Sequence, residues 1–135
     1  MDRGAIVQEL QREPAVVFAI LFGSRVQTSA RAGSDWDIGV YLDDALDAGE
    51  RARIRARLIA ALEPAIRADV VVLNEAPALL SRRVLDGERL FVRDERAWVR
   101  FFVRTLGAAG DEAHWRELHA RERARRLEEG RFGRP

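Results

Sequence analysis

Gly23-Ser24-Arg25-Val26-Gln27-Thr28-Ser29-Ala30-Arg31-Ala32-Gly33-Ser34-Asp35-Trp36-Asp37 governs the reading of this chain. It joins a Gly-Ser pair to an Asp-x-Asp pair across ten residues. A tight glycine turn lets backbone N–H groups approach a phosphate chain. Residues i and i+2 of a strand project to the same side. Asp35 and Asp37 therefore point together, and Trp36 points the other way. Two carboxylates held that close repel unless a cation sits between them. Hard oxygen donors of this kind suit Mg²⁺, which also recruits substrate phosphates.

The flanks support this placement. Ala15 to Phe22 is a continuous apolar run, short enough for a buried strand, and it ends at Gly23. Ser24 can N-cap a short helix over Arg25 to Ala32, and a helix N-terminus is a ready anion site. Arg25, beside Ser24 at that helix start, is the candidate phosphate contact. Gly33-Ser34 breaks the helix, and Asp35 to Leu42 reads as a second strand.

On these residues the chain resembles the minimal nucleotidyltransferases, the small single-domain branch of the DNA polymerase β-like superfamily. Their signature is Gly-Ser, ten residues, Asp-x-Asp, as in Gly23-Ser24 through Asp35-Trp36-Asp37. Members often carry Arg-Gly where this chain has Gln27-Thr28. The family places a third carboxylate on a later strand, and Asp69 in Ala68-Asp69-Val70-Val71-Val72-Leu73 fits that role. The resemblance implies an α/β nucleotidyltransferase fold, a mixed sheet with flanking helices and a C-terminal helical extension. It implies Asp35, Asp37 and Asp69 as catalytic metal ligands for two Mg²⁺ ions, with Gly23, Ser24 and Arg25 binding the nucleotide. It covers roughly residues 1–106. Residues 107–135 are a C-terminal helix and tail, part of the same domain or a docking element for a partner.

Composition agrees with one small domain. The chain has 135 residues, ordinary apolar content and 33% charged residues. It has no cysteine, which removes disulfides and thiolate metal sites. All 23 Lys-or-Arg positions are arginine, which removes phosphate-loop lysine and Schiff-base chemistry. A GC-rich genome accounts for that bias without any function. The net charge of +1 gives no global basic field, so direct nucleic-acid binding is not expected. No apolar run approaches a membrane span and no signal-peptide pattern opens the chain, so a cytoplasmic location is expected.

The remaining segments read as further helices and strands. Asp2 to Arg12 has Ile6, Val7 and Leu10 at helical spacing, with Pro14 closing it. Residues 48–63 place Ile54, Leu58, Ile59 and Leu62 on one stripe, and Pro64 ends that helix before the Asp69 strand. Pro77 opens a helix through Leu85, and Arg89 to Arg93 is a short strand. Asp94 caps a helix with Trp98, Phe101, Phe102 and Leu106 on one face, followed by a break at Gly107-Ala108-Ala109-Gly110. Asp111 caps a last helix to about Glu129.

Several residues invite a functional reading that a simpler one answers. Asp43-Asp44 and Asp47 read as a solvated turn and a helix N-cap. His114 and His119 are five apart, a poor spacing for joint ligation. Tyr41 shares a strand face with Asp35 and Asp37, and sheet packing suits it better than nucleotide contact.

The family resemblance also implies a partner: a HEPN-domain ribonuclease toxin, for which this chain is the antitoxin. The implied reaction moves AMP from ATP to a tyrosine hydroxyl of that toxin, within a hetero-oligomer. Trp115, Leu118 and Leu127 form the apolar stripe of a docking helix or of one packed on its own domain. Two alternatives stand beside this: a non-catalytic module that neutralises the toxin by contact, and a small-molecule nucleotidyltransferase. The complete Asp35, Asp37, Asp69 set favours catalysis over the first.

Overall fold

Two apolar strands, buried on both faces along most of their length, build the centre of this molecule. The computed structural model describes residues 1–23 and 36–108. Strands β1 (Val16–Phe22), β2 (Trp36–Leu42), β3 (Ala68–Val72) and β4 (Glu88–Val92) form one sheet in the order β3-β2-β1-β4. β1 pairs antiparallel with β2 and β4, while β2 and β3 run parallel, so the sheet is mixed. The parallel pair is joined by a crossover helix, as parallel strands require.

Helices α1 (Arg3–Gln11) and α2 (Ala48–Leu62) cover one face. Ile6, Leu10, Ile54, Leu58 and Leu62 pack there on Ala19, Leu21, Ile38, Val40, Val70 and Val72. Helix α3 (Ala78–Leu85) and a helix α4 over 95–108 cover the other face. There Phe18, Ile20, Phe22 and Tyr41 meet Val84, Ala97 and Phe101. The two layers separate by strand parity, which is the expected consequence of a period of two. A short 3₁₀ turn, Leu73–Glu75, follows β3. Its Asn74 side chain donates to the Leu42 carbonyl and accepts from the Leu42 N–H, both at 2.8 Å, which locks the end of β2.

The expected helices and strands hold among the described residues, with ends shifted by a residue or two. One face differs. The buried side of α4 is Ala97, Phe101 and Thr105, at i, i+4 and i+8, with Trp98 half-buried beside them. Phe102 and Leu106 are instead 38% and 42% exposed. Small Ala97 and Thr105 let the helix lie close to the sheet, which turns the larger side chains to the flank. Together with Val99 and Val103 they leave an apolar stripe facing outward. The helix also continues through Gly107 to residue 108, past the expected start of the break. The expected last helix, with Trp115, Leu118, Leu127 and both histidines, falls outside the described residues. No helix among the described residues is long and apolar enough to cross a membrane.

The start of α2 is capped as its sequence implies. Asp47 is its N-cap: the Asp47 carboxylate accepts from the Glu50 N–H, and Glu50 reaches back to the Asp47 N–H, a complete capping box. The Glu50 backbone hydrogen bond holds the Asp47 carboxyl below its ordinary 3.8. A folded-state value below the unfolded one contributes stability above about pH 3.8, lost as pH falls through the folded value. Asp47→Asn keeps the cap but removes this linkage. The variant should therefore lose less stability between pH 7 and pH 3 than the parent, read as the shift of the urea midpoint. Equal shifts would show that the cap does not titrate in this range.

Asp43 fits the turn reading, since its carboxylate accepts from the Ala45 N–H at 2.9 Å. Asp44 is exposed in the same turn, as expected, and also ties the turn to its neighbours. It accepts from the Tyr41 hydroxyl at 2.6 Å and from the Asn74 amide.

Candidate functional site

The site is built where β1 ends and where β2 and β3 begin. Phe22 closes β1, and the chain turns at Gly23 with φ +73°, a left-handed conformation that glycine adopts without strain. Phe22 stands opposite Asp37 in the β1–β2 ladder. Asp37 in turn is the register partner of Asp69 in the parallel β2–β3 ladder. The Trp36 N–H donates to the Arg67 carbonyl at 2.8 Å, which fastens the first rung of that ladder.

Strand parity then orients the two carboxylates. Ile38, Val40, Val70 and Val72 face α1 and α2, whereas Tyr41 and Val71 face α3 and α4. Asp37 and Asp69 share the parity of the second group. They occupy one face on neighbouring strands, which lie about 4.8 Å apart. Asp69 is exposed and Asp37 half-buried, so this end of the face is open to solvent. Trp36 packs toward the α1–α2 layer, as its position between two aspartates requires.

Two of the three expected carboxylates are thus brought together beside Gly23. Asp35, Ser24, Arg25 and the short helix expected after Ser24 lie outside the described residues. Among the described residues no three His, Cys, Asp or Glu side chains gather into a metal cluster. The donor chemistry of the pair nonetheless fits Mg²⁺, which takes carboxylate oxygens and retains positions for water and phosphate.

The closeness of Gly23 to Asp37 was not legible in the motif. A Cβ added at Gly23 would lie 2.0 Å from Asp37 Oδ2. The carboxylate fills the volume that any side chain at position 23 would need.

Tyr41 shares the face of the carboxylates but serves packing. Its ring stacks on Phe18 with centroids 5.0 Å apart. Burial pushes its phenol above the usual 10.0, the Asp44 hydrogen bond adds to that, and a hydrogen bond with Arg104 opposes it. Two recesses lie away from the carboxylates. One of about 470 Å³ is lined by Glu13, Asp43, Glu50, Arg53 and Arg57, toward the far end of β2. Another of about 170 Å³ is lined by Asn74, Ser81, Arg104 and Thr105. Neither contains a residue of the candidate site.

Comparison with known proteins identifies the family and the fold. The family described as "Polymerase beta, Nucleotidyltransferase" matches residues 5–96. No curated protein matches the chain. Among solved structures, a toxin–antitoxin complex with AMP-PNP is 27% identical with a TM-score of 0.62, covering 96% of this chain and 98% of that one. A MntA toxin–antitoxin complex carrying two Asp-to-Glu substitutions is 25% identical with a TM-score of 0.63, at the same coverage of 96% and 98%. The tri-AMPylated HEPN toxin of Shewanella oneidensis in complex with MNT antitoxin is 26% identical with a TM-score of 0.56, covering 94% and 93%.

Proposed function

This chain belongs to the polymerase beta nucleotidyltransferase family, and from that premise we propose that it transfers AMP from ATP to a hydroxyl of a protein partner. The observation that carries the reading is the register pairing of Asp37 with Asp69 on one open face beside the Gly23 turn. Asp35, outside the described residues, is proposed as the third carboxylate of the set.

The chain's own groups would position and neutralise more than react. The Gly23-Ser24 turn cradles the triphosphate through backbone N–H groups, and Arg25 pairs with a phosphate oxygen. Asp35, Asp37 and Asp69 would hold two Mg²⁺ ions, which supply Lewis-acid neutralisation of the phosphates and of the attacking oxygen. The acceptor oxygen forms a bond to the α-phosphorus, the bond from that phosphorus to the bridging oxygen breaks, and pyrophosphate leaves. The hydroxyl proton passes to water. Holding acceptor and α-phosphate in line removes most of the entropic barrier.

The relatives support a protein acceptor. The similar solved proteins are toxin–antitoxin complexes, one with an ATP analogue and one whose HEPN toxin is tri-AMPylated. We assign this chain the antitoxin role in a cytoplasmic pair of that kind, with a tyrosine of the toxin as acceptor. The outward apolar stripe of α4, Val99, Phe102, Val103 and Leu106, supports a protein partner over a small molecule.

The test is incubation with α-labelled ATP, Mg²⁺ and a HEPN toxin encoded beside this chain. Label should move to the toxin and suppress its ribonuclease activity. Asp69→Asn should slow labelling by roughly 10²-fold while leaving ATP binding largely intact, because this change removes a charge from the acceptor side of the site. Suppression of the toxin without label would instead establish the contact-only antitoxin.

A further inference from the structure

We propose that Gly23 is a positioning residue of the metal site: its missing side chain is the room in which the Asp37 carboxylate sits. The proposal rests on the carboxylate reading above and adds a role for the glycine that precedes any nucleotide. In the usual account, a glycine at such a turn lets a ligand come close. Here the volume beside Gly23 is already taken by the protein's own side chain.

The distances decide what would move. A Cβ at position 23 would stand 2.0 Å from Asp37 Oδ2, 2.9 Å from Cγ and 3.2 Å from the Asp37 Cβ. Neither backbone can retreat easily. Phe22 is 4% exposed and stands opposite Asp37 in the β1–β2 ladder. Asp37 is also held in register with Asp69 on its other side. The soft coordinate is rotation about the Asp37 Cα–Cβ bond. A side chain at position 23 would therefore swing the carboxylate off its place beside Asp69 and leave the sheet standing. The ligand pair would be split without loss of either carboxylate.

Two effects at Gly23 need separating. Its φ of +73° strains most L-residues, whatever the space. Asn tolerates that conformation yet still carries a Cβ. Gly23→Asn thus keeps the turn while making the clash, whereas Gly23→Ala makes both.

The experiment is a Mn²⁺ titration followed by electron paramagnetic resonance, without nucleotide, on the full chain. The parent protein, Gly23→Ala, Gly23→Asn and Asp69→Asn are compared, with metal-free melting curves to establish folding. The parent should bind Mn²⁺, and Asp69→Asn should bind it weakly, which locates the ion at the pair. Gly23→Asn, folded, should bind Mn²⁺ about 10-fold to 100-fold more weakly than the parent, the usual effect of losing support around a ligand. Gly23→Ala should match it if folded, and the Asn variant carries the test if it is not. Parent-like Mn²⁺ affinity in folded Gly23→Asn would overturn the proposal while leaving the carboxylate reading intact. A parent that binds no Mn²⁺ would overturn both.

Discussion

Asp37→Ala should abolish AMP transfer while the protein stays folded. Asp37 is one of the two carboxylates of the described site, adjacent to Asp69 in register and opposite the end of β1. Removing it takes away charge stabilisation where the phosphates would gather, and a loss of about 10³-fold or more is expected from electrostatic terms of this kind. Asp37 is half-buried near the start of β2, and removing one of two neighbouring carboxylates relieves like-charge repulsion with Asp69. Labelled-ATP transfer and a melting curve on the same preparation check both halves. Transfer at the parental rate would remove Asp37 from the chemistry. A collapse of the melting temperature would make its role structural. Asp35→Ala should behave like Asp37→Ala if the third carboxylate joins them as proposed.

Phe18→Ala should destabilise the protein by about 3–5 kcal/mol, the usual range for a fully buried Phe. Phe18 has no exposed surface and lies at the middle of the sheet. Its ring stacks on Tyr41 and meets Trp98 edge-on at 5.2 Å and Phe101 at 5.5 Å. It thus joins β1, β2 and α4 in one contact set. Truncation leaves a cavity bounded by rigid rings, which collapse poorly into the space. A loss of this size is a large part of the stability of a small domain. Urea unfolding should show the midpoint falling with little change in slope. A change below about 1 kcal/mol would mean that α4 can close the gap, and that this helix is held more loosely than its packing indicates.

Local order was written plainly in the chain. The apolar run before Gly23, the stripe of Ile54, Leu58 and Leu62, and the Asp47 cap each depend on residues only a few positions apart. Periods of two and 3.6 and the stops at Pro14 and Pro64 are short-range physics, so they survive without tertiary context. The Gly-Ser to Asp-x-Asp spacing likewise named Asp37, and the resemblance to the minimal nucleotidyltransferases pointed to Asp69. Tertiary structure alone decided the rest. That Asp37 and Asp69, 32 positions apart, share one rung depends on how α2 packs to set the β2–β3 register. The turning of Phe102 and Leu106 outward depends on the small residues of α4 meeting the sheet. The Asp37 carboxylate filling the space beside Gly23 depends on a strand pairing that no local pattern encodes. The sequence by itself determined which elements form and which residue types could do the chemistry. Their meeting at one end of the sheet was decided by long-range packing, because register and helix rotation are settled by fit between surfaces and not by neighbours along the chain.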